Sequence, residues 1–213
     1  MKIIRSVKLY LVIAAVALAL LLGGCAMTPK AERYPALQVG TTYTIARSDT
    51  GSFGSGPTQM TLKVAERMWE GKRMIAFVAP NGVTVSNPEG CWVAILAPDE
   101  KPIMIFDPPI GWEYPLEVGK TWTKSYRVTI AATKQTIPFD STSKVEAYEE
   151  VTVPAGTFKT FKVISSDTTG SETVSWSDPE MGMWIKRIET RTAKHPAGPG
   201  KREIQLISYT IPK

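Results

Sequence analysis

The sequence predicts an all-β protein, an antiparallel curved sheet, half-barrel or barrel built from two related β units. Three observations carry this expectation. Gly and Pro turns recur at short intervals. Runs rich in Val, Ile, Thr, Phe, Tyr and Trp lie between them. Two short segments of the first half reappear in the same order in the second.

The amino terminus is organised differently. Met1–Lys8 is basic, Leu9–Leu22 is an uninterrupted apolar run, and Gly23-Gly24-Cys25 follows. This is the three-part order of an export signal, assigned to 1–24. The run spans about 21 Å as a helix, against roughly 30 Å for a hydrocarbon core, so a permanent membrane span is the weaker reading. Leu22-Gly23-Gly24-Cys25 resembles the lipobox of bacterial lipoproteins. That resemblance implies lipidation of Cys25, cleavage before it, and anchorage by two or three acyl chains. One chain alone holds only marginally, at about 0.8 kcal/mol per buried methylene. Ala26 in place of Asp implies the outer membrane, facing the periplasm, over the inner membrane. Residues 25–35 are read as lipidated terminus and short polar tether.

Residues 36–213 form the β-rich domain. Turn signals include Gly51, Gly56-Pro57, Pro80-Asn81-Gly82, Pro108-Pro109, Pro154, Gly170 and Gly182. Trp122, Tyr126, Val128 and Ile130 alternate with Thr121, Thr123, Ser125, Arg127 and Thr129. Met60, Leu62, Val64 and Met68 oppose Thr61, Lys63 and Arg67. Val145, Ala147, Val151 and Val153 oppose Lys144, Glu146 and Thr152. Alternation of this kind gives each strand a dry and a wet face. About a dozen such runs fit a barrel, a sandwich or a large curved sheet.

Leu37-Gln38-Val39-Gly40-Thr41-Thr42-Tyr43-Thr44 matches Leu116-Glu117-Val118-Gly119-Lys120-Thr121-Trp122-Thr123 at five of eight positions. Ser86-Asn87-Pro88-Glu89-Gly90-Cys91-Trp92 likewise resembles Ser177-Asp178-Pro179-Glu180-Met181-Gly182-Met183-Trp184. The matches predict two units, about 36–112 and 113–213, sharing one core, because neither half is large enough to bury its apolar face alone. Val153-Pro154-Ala155-Gly156-Thr157-Phe158 reads as a hairpin, and Trp69-Glu70-Gly71-Lys72 as its counterpart. The Leu116–Trp122 segment, this hairpin and Pro179–Trp184 resemble a family of bacterial periplasmic proteins with a β-rich, half-barrel-like domain. The match is best over 113–190 and implies fold, with no catalytic residue to transfer.

The remaining motifs favour structural readings. His195, the single histidine, sits in a Pro/Gly loop and cannot by itself build a zinc site or a nucleophilic triad. Ser141-Thr142-Ser143-Lys144 has Ser-x-x-Lys spacing but opens a strand where that chemistry needs a helix start. Gly51–Gly56 lacks the lysine and helix of a phosphate loop. The aspartates are scattered without calcium-loop spacing. With Cys25 lipidated, Cys91 has no disulfide partner in the chain and reads as a small buried residue. Lys186, Arg187, Arg191, Lys194, Lys201 and Arg202 cluster on two adjacent strands. They read first as a wet face, with anionic lipid headgroups as the functional alternative. Six tryptophans supply core, and some can line a groove on a concave face.

The chain carries a formal +5, and removal of Lys2, Arg5 and Lys8 with the signal lowers it by three. That is too little positive charge for nucleic-acid binding. No metal site, cofactor motif or catalytic constellation emerges. The expectation is a membrane-anchored, non-enzymatic envelope lipoprotein whose β domain binds a lipid or other apolar ligand. The alternative is an interaction module for an envelope assembly. A filled interior would sink the first.

Overall fold

The computed structural model describes residues 29–213, among which there are strands and turns and no helix. The signal segment and Cys25 lie outside the described residues. β1 (Lys30–Ala31), β2 (Thr42–Gly51), β3 (Gly56–Trp69), β4 (Lys72–Ala79), β5 (Gly82–Ser86), β6 (Trp92–Leu96) and β7 (Pro102–Ile110) form the first half. β8 (Leu116–Glu117), β9 (Thr121–Ile130), β10 (Gln135–Val153), β11 (Gly156–Asp167), β12 (Ser171–Ser177), β13 (Trp184–Arg191) and β14 (Gly200–Thr210) form the second.

Twelve strands close into an antiparallel barrel in the order β2-β3-β4-β5-β6-β7-β9-β10-β11-β12-β13-β14, and β14 returns to β2. Each neighbour follows in sequence apart from the short β8, so the ring is a meander and has no free edge to aggregate. β1 and β8 pair separately through Lys30–Glu117 and Ala31–Leu116. Part of the segment read as tether is therefore docked: Ala31 is buried against Leu116, Trp122 and Val145.

The two matched segments occupy corresponding places. Gly40 N–H donates to Val64 O, Val64 N–H to Thr41 O, and Thr41 N–H to Gln38 O. Gly119, Val145 and Lys120 make the same three bonds, to Val145, Lys120 and Glu117 respectively. Gly40 and Gly119 have φ of +93° and +94°, a region open to glycine and strained for other residues. Further along, both matched Trp residues follow a bulge. Ser86 pairs with Trp92 and Ser177 with Trp184, each after a register shift.

Two elements depart from simple alternation. A bulge between Val145 and Ala147 reverses the facing of the rest of β10, because one extra residue breaks a period of two. Val145 therefore packs with Trp122 and Phe161, while Val151 and Val153 join a different cluster around Tyr43, Ile185 and Leu206. Met68, placed with a dry face by alternation, is exposed at the end of β3. β4 is covered on both faces. Phe77 joins the Tyr43 cluster, and Met74 and Ala76 pack with Val83, Val85 and Leu96 on the other side.

Candidate functional site

Directly paired residues share a sheet face, so the register fixes which side chains point into the ring. Starting from buried Tyr43 and Ile45, the inward positions include Val64, Phe77, Trp122, Val145, Phe161, Val163, Ile185, Ile204 and Leu206. These residues are all buried and fill the lower half, the end that carries β1 and β8. Twelve strands make a ring wider than the eight that side chains alone can fill. The upper half shows the consequence, for its lining is only partly buried.

One upper wall is apolar. Ile95 faces Met104, Met104 faces Ile130, Phe106 faces Val128, and Val128 faces Ile137. These six side chains are half-buried, and they belong to none of the three core clusters. On the outer face of β9 and β10, Thr123 meets Thr142 and Thr129 meets Thr136 through exposed hydroxyl hydrogen bonds. The apolar set is therefore the inner face.

The opposite wall is charged and hydroxyl-rich. Arg202 Nε and Nη2 donate to Asp49 Oδ1 and Oδ2 at 2.8 and 3.0 Å, a two-pronged pair across β14 and β2. Arg47 Nε lies 3.1 Å from Asp49, and Arg187 Nε lies 2.7 Å from Glu189. Arg202 Nη1 reaches Glu189 at 4.0 Å, linking the two carboxylates. Ser143 and Ser165 share a hydrogen bond of 2.8 Å deeper along the same face. Arg191 donates through Nη1 to the Ser52 carbonyl and hydroxyl. Phe53, from the β2–β3 loop, lies between the Arg191 and Arg202 guanidiniums at 3.8 and 4.5 Å. Below them, Arg187 lies over Trp184 and Trp92 at 4.5 and 5.6 Å.

Three guanidiniums thus share two carboxylates, with that of Arg191 beside them, in a cleft where water still reaches them. The Arg47, Arg187 and Arg202 side chains keep 18–23% of their accessible surface. The Arg202 hydrogen bonds hold the Asp49 carboxyl below its ordinary range. Arg191 is disfavoured as a cation by burial and then by neighbouring Arg202. Arg47 Nε and Arg187 Nε are buried and donate no well-directed hydrogen bond despite their nearby carboxylates.

The basic cluster seen in sequence therefore splits by strand parity. Arg187, Arg191 and Arg202 turn into the ring, whereas Lys201 pairs with Glu203 and Lys186 lies over Trp176 on the outside. Reading it as one wet face misses this. The alternation of Arg187, Glu189 and Arg191 was the available signal, and Arg47 and Asp49 gave the same signal on β2.

The other candidates do not converge on the lumen wall. His195 accepts a hydrogen bond from Ala197 N–H within its own loop, and burial and Arg191 hold it below its ordinary range. Ser141 faces inward and Lys144 outward, so they form no dyad. Burial pushes the Cys91 thiol up, away from a reactive thiolate. Gly51–Gly56 is the loop that carries Ser52 and Phe53 over the charged wall. Two clefts lie elsewhere. One of 540 Å³ includes Tyr34, Trp112 and Tyr114. There the Tyr34 hydroxyl donates to Gly182 O at 2.6 Å, so its polar group is already occupied in holding the docked amino terminus. The other, of 290 Å³, lies over the outer Asp107–Arg127 pair.

The chain matches no known family profile and no curated protein. Among the solved structures it is similar to are the following three. A candidate exported protein with a YmcC-like fold from Bacteroides fragilis aligns at 15% identity and TM-score 0.46, covering 84% of this chain and 99% of that one. The hypothetical lipoprotein YmcC from Escherichia coli aligns at 12% and 0.42, covering 80% and 86%. A candidate lipoprotein from Parabacteroides distasonis aligns at 11% and 0.41, covering 83% and 97%. At these scores the likeness adds nothing to the fold, which rests on the strand registers.

Proposed function

We propose that this chain is an envelope lipoprotein, anchored through Cys25, whose barrel binds a ligand with an apolar part in its upper lumen and does no chemistry on it. The observation that carries the binding reading is the inner apolar wall. Ile95, Met104, Phe106, Val128, Ile130 and Ile137 point into the ring but are left half-exposed. Burying such a wall against an alkyl chain would contribute about 25 cal/mol per Å² removed from water. The lower lumen is filled, so the site is a cup open at one end.

An anchor at Cys25 would set the orientation of the barrel. Lys30 is five residues along the chain from Cys25, a reach of at most about 18 Å. The lower rim must therefore stand close to the bilayer, with the cup facing away. Val39, Met68, Val118, Tyr209 and Ile211 are exposed apolar residues at strand ends on that rim. They suit contact with the membrane interface. Ala26 favours the outer membrane. The matched turns and bulges support descent of the two halves from one six-stranded unit.

Two measurements test the reading. Metabolic palmitate labelling should mark the wild type and fail with Cys25→Ser, which should also leave the membrane fraction. The neutral fluorophore N-phenylnaphthylamine should bind saturably, and Val128→Asp should abolish the signal in a folded protein. Labelling unaffected by Cys25→Ser would end the anchor. A folded wild type with no saturable fluorescence would end the apolar site. Crosslinking in cells that recovers one consistent protein partner would then favour the interaction-module alternative.

A further inference from the structure

We propose that the arginines of the upper lumen form a head-group site, so that the occupant is an anionic amphiphile, one alkyl chain ending in a carboxylate or phosphate. This deepens the lumen-binding reading and rests on it for the alkyl part. The charge inventory carries the head-group part. Facing the site are Arg47 and Asp49 from β2, Arg187, Glu189 and Arg191 from β13, and Arg202 from β14. On this wall four cations stand against two anions; farther round the ring the register also turns Lys124 of β9 and Asp167 of β11 inward, Asp167 accepting from the Thr169 and Ser171 amides and Lys124 lying 3.9 Å from Glu113.

The excess is localised. Asp49 is shared by Arg47 and Arg202, and Glu189 by Arg187 and Arg202. Among the described residues Arg191 pairs with no carboxylate; its contacts are the Ser52 oxygens and the Phe53 ring. A partly dry cation of this kind is stabilised by an incoming oxyanion more than one in bulk water, because the local dielectric is lower. Guanidinium groups match the planar or trigonal oxygens of carboxylate and phosphate, and such charge-assisted bonds are about twice as strong as neutral ones. Neither upper wall alone specifies the ligand. An apolar wall facing an arginine wall across one cup fits a molecule with both characters.

The protein purified at full length in a maltoside detergent, whose head group is neutral, is titrated calorimetrically with dodecanoate, dodecyl phosphate, dodecanol and inorganic phosphate. Both anionic amphiphiles should bind at least about tenfold more tightly than dodecanol. Arg191→Gln should weaken both by about tenfold and leave dodecanol unchanged, and Arg191→Lys should restore part of the loss. Arg187→Gln supplies a second variant should Arg191→Gln misfold by near-UV circular dichroism. Dodecanol binding as tightly as dodecanoate would overturn the head-group site and leave the apolar lumen standing. Inorganic phosphate binding as tightly as dodecyl phosphate would overturn the amphiphile and retain the anion site. Unchanged dodecanoate affinity in a folded Arg191→Gln would also overturn it. A preference between dodecanoate and dodecyl phosphate identifies which oxyanion the site takes.

Discussion

Trp92 and Trp184 meet edge to face, with ring centroids 5.7 Å apart and planes at 65°. Each is the residue that ends a matched Pro-Glu turn, one in each half of the chain. They touch in the filled part of the barrel, and the Arg187 guanidinium lies over both. The floor of the charged wall is thus built by corresponding residues of the two halves.

Trp92→Leu and Trp184→Leu should therefore couple. In a double-mutant cycle read by urea unfolding, the pair should show about 0.5–1.5 kcal/mol beyond the additive losses. Additivity within error would mean that the two rings are stabilised independently.

The matched glycine turns should respond unequally to the same substitution. A side chain at φ near +93° costs about 1–2 kcal/mol in either turn. At Gly40 a Cβ would also come within 3.1 Å of Pro212 Cγ, whereas at Gly119 it meets open space. Gly40→Ala should be the more destabilising variant. Equal losses in thermal unfolding would show that the carboxyl-terminal segment yields freely.

Asp49 holds two arginines, so Asp49→Asn should cost about 2–3 kcal/mol at neutral pH by leaving their charges less compensated. The folded pKa of Asp49 is depressed, so its contribution is complete above the ordinary carboxylate range and is lost as pH falls through the folded value. The gap between wild type and variant should accordingly shrink below about pH 4. A gap that persisted there would implicate packing rather than charge.

Alkaline pH should act in the opposite sense. Burial pushes Tyr43 and Tyr126 up to about 12, and the Tyr43 hydroxyl donates to Met181 O at 2.8 Å. Groups with a raised folded pKa stabilise below their unfolded value, near 10, and lose that contribution as pH rises toward 12. Unfolding and tyrosinate absorbance should rise together over this interval. Tyr43→Phe removes the ionisation but leaves Met181 O unpaired, so it should shift the alkaline midpoint upward and lower neutral stability by about 1 kcal/mol.

Much of the architecture was legible because local rules impose it. A period of two in β9 marks Trp122, Tyr126, Val128 and Ile130 as one face before any partner is known. Gly40 and Gly119 mark tight turns because few other residues take their backbone conformation. The bulge after Val145 was not legible, since a run of alternating residues carries no mark of where its partner slips. Nor was the docking of Lys30–Ala31, which depends on a strand more than eighty residues away.

The candidate site was half visible. The basic residues of 186–202 stood out, but their division into inward arginines and outward lysines follows from register with β2 and β12. The apolar wall is harder still to read. Val128 and Phe161 look alike in sequence, as inward residues of alternating strands, yet one is half-exposed and the other buried.

The amino-acid order alone determined the antiparallel β class and marked the two matched glycine turns, and it carries the expectation of an export-and-lipidation signal ending at Cys25. These follow from backbone preference, local periodicity and short motifs, all of which act over a few residues. Tertiary structure decided that the ring closes at twelve strands, that its lower half is packed, and that arginines face an apolar wall in the upper half. Those outcomes depend on how far the sheet curves and on which distant strands pair, and no local preference encodes either.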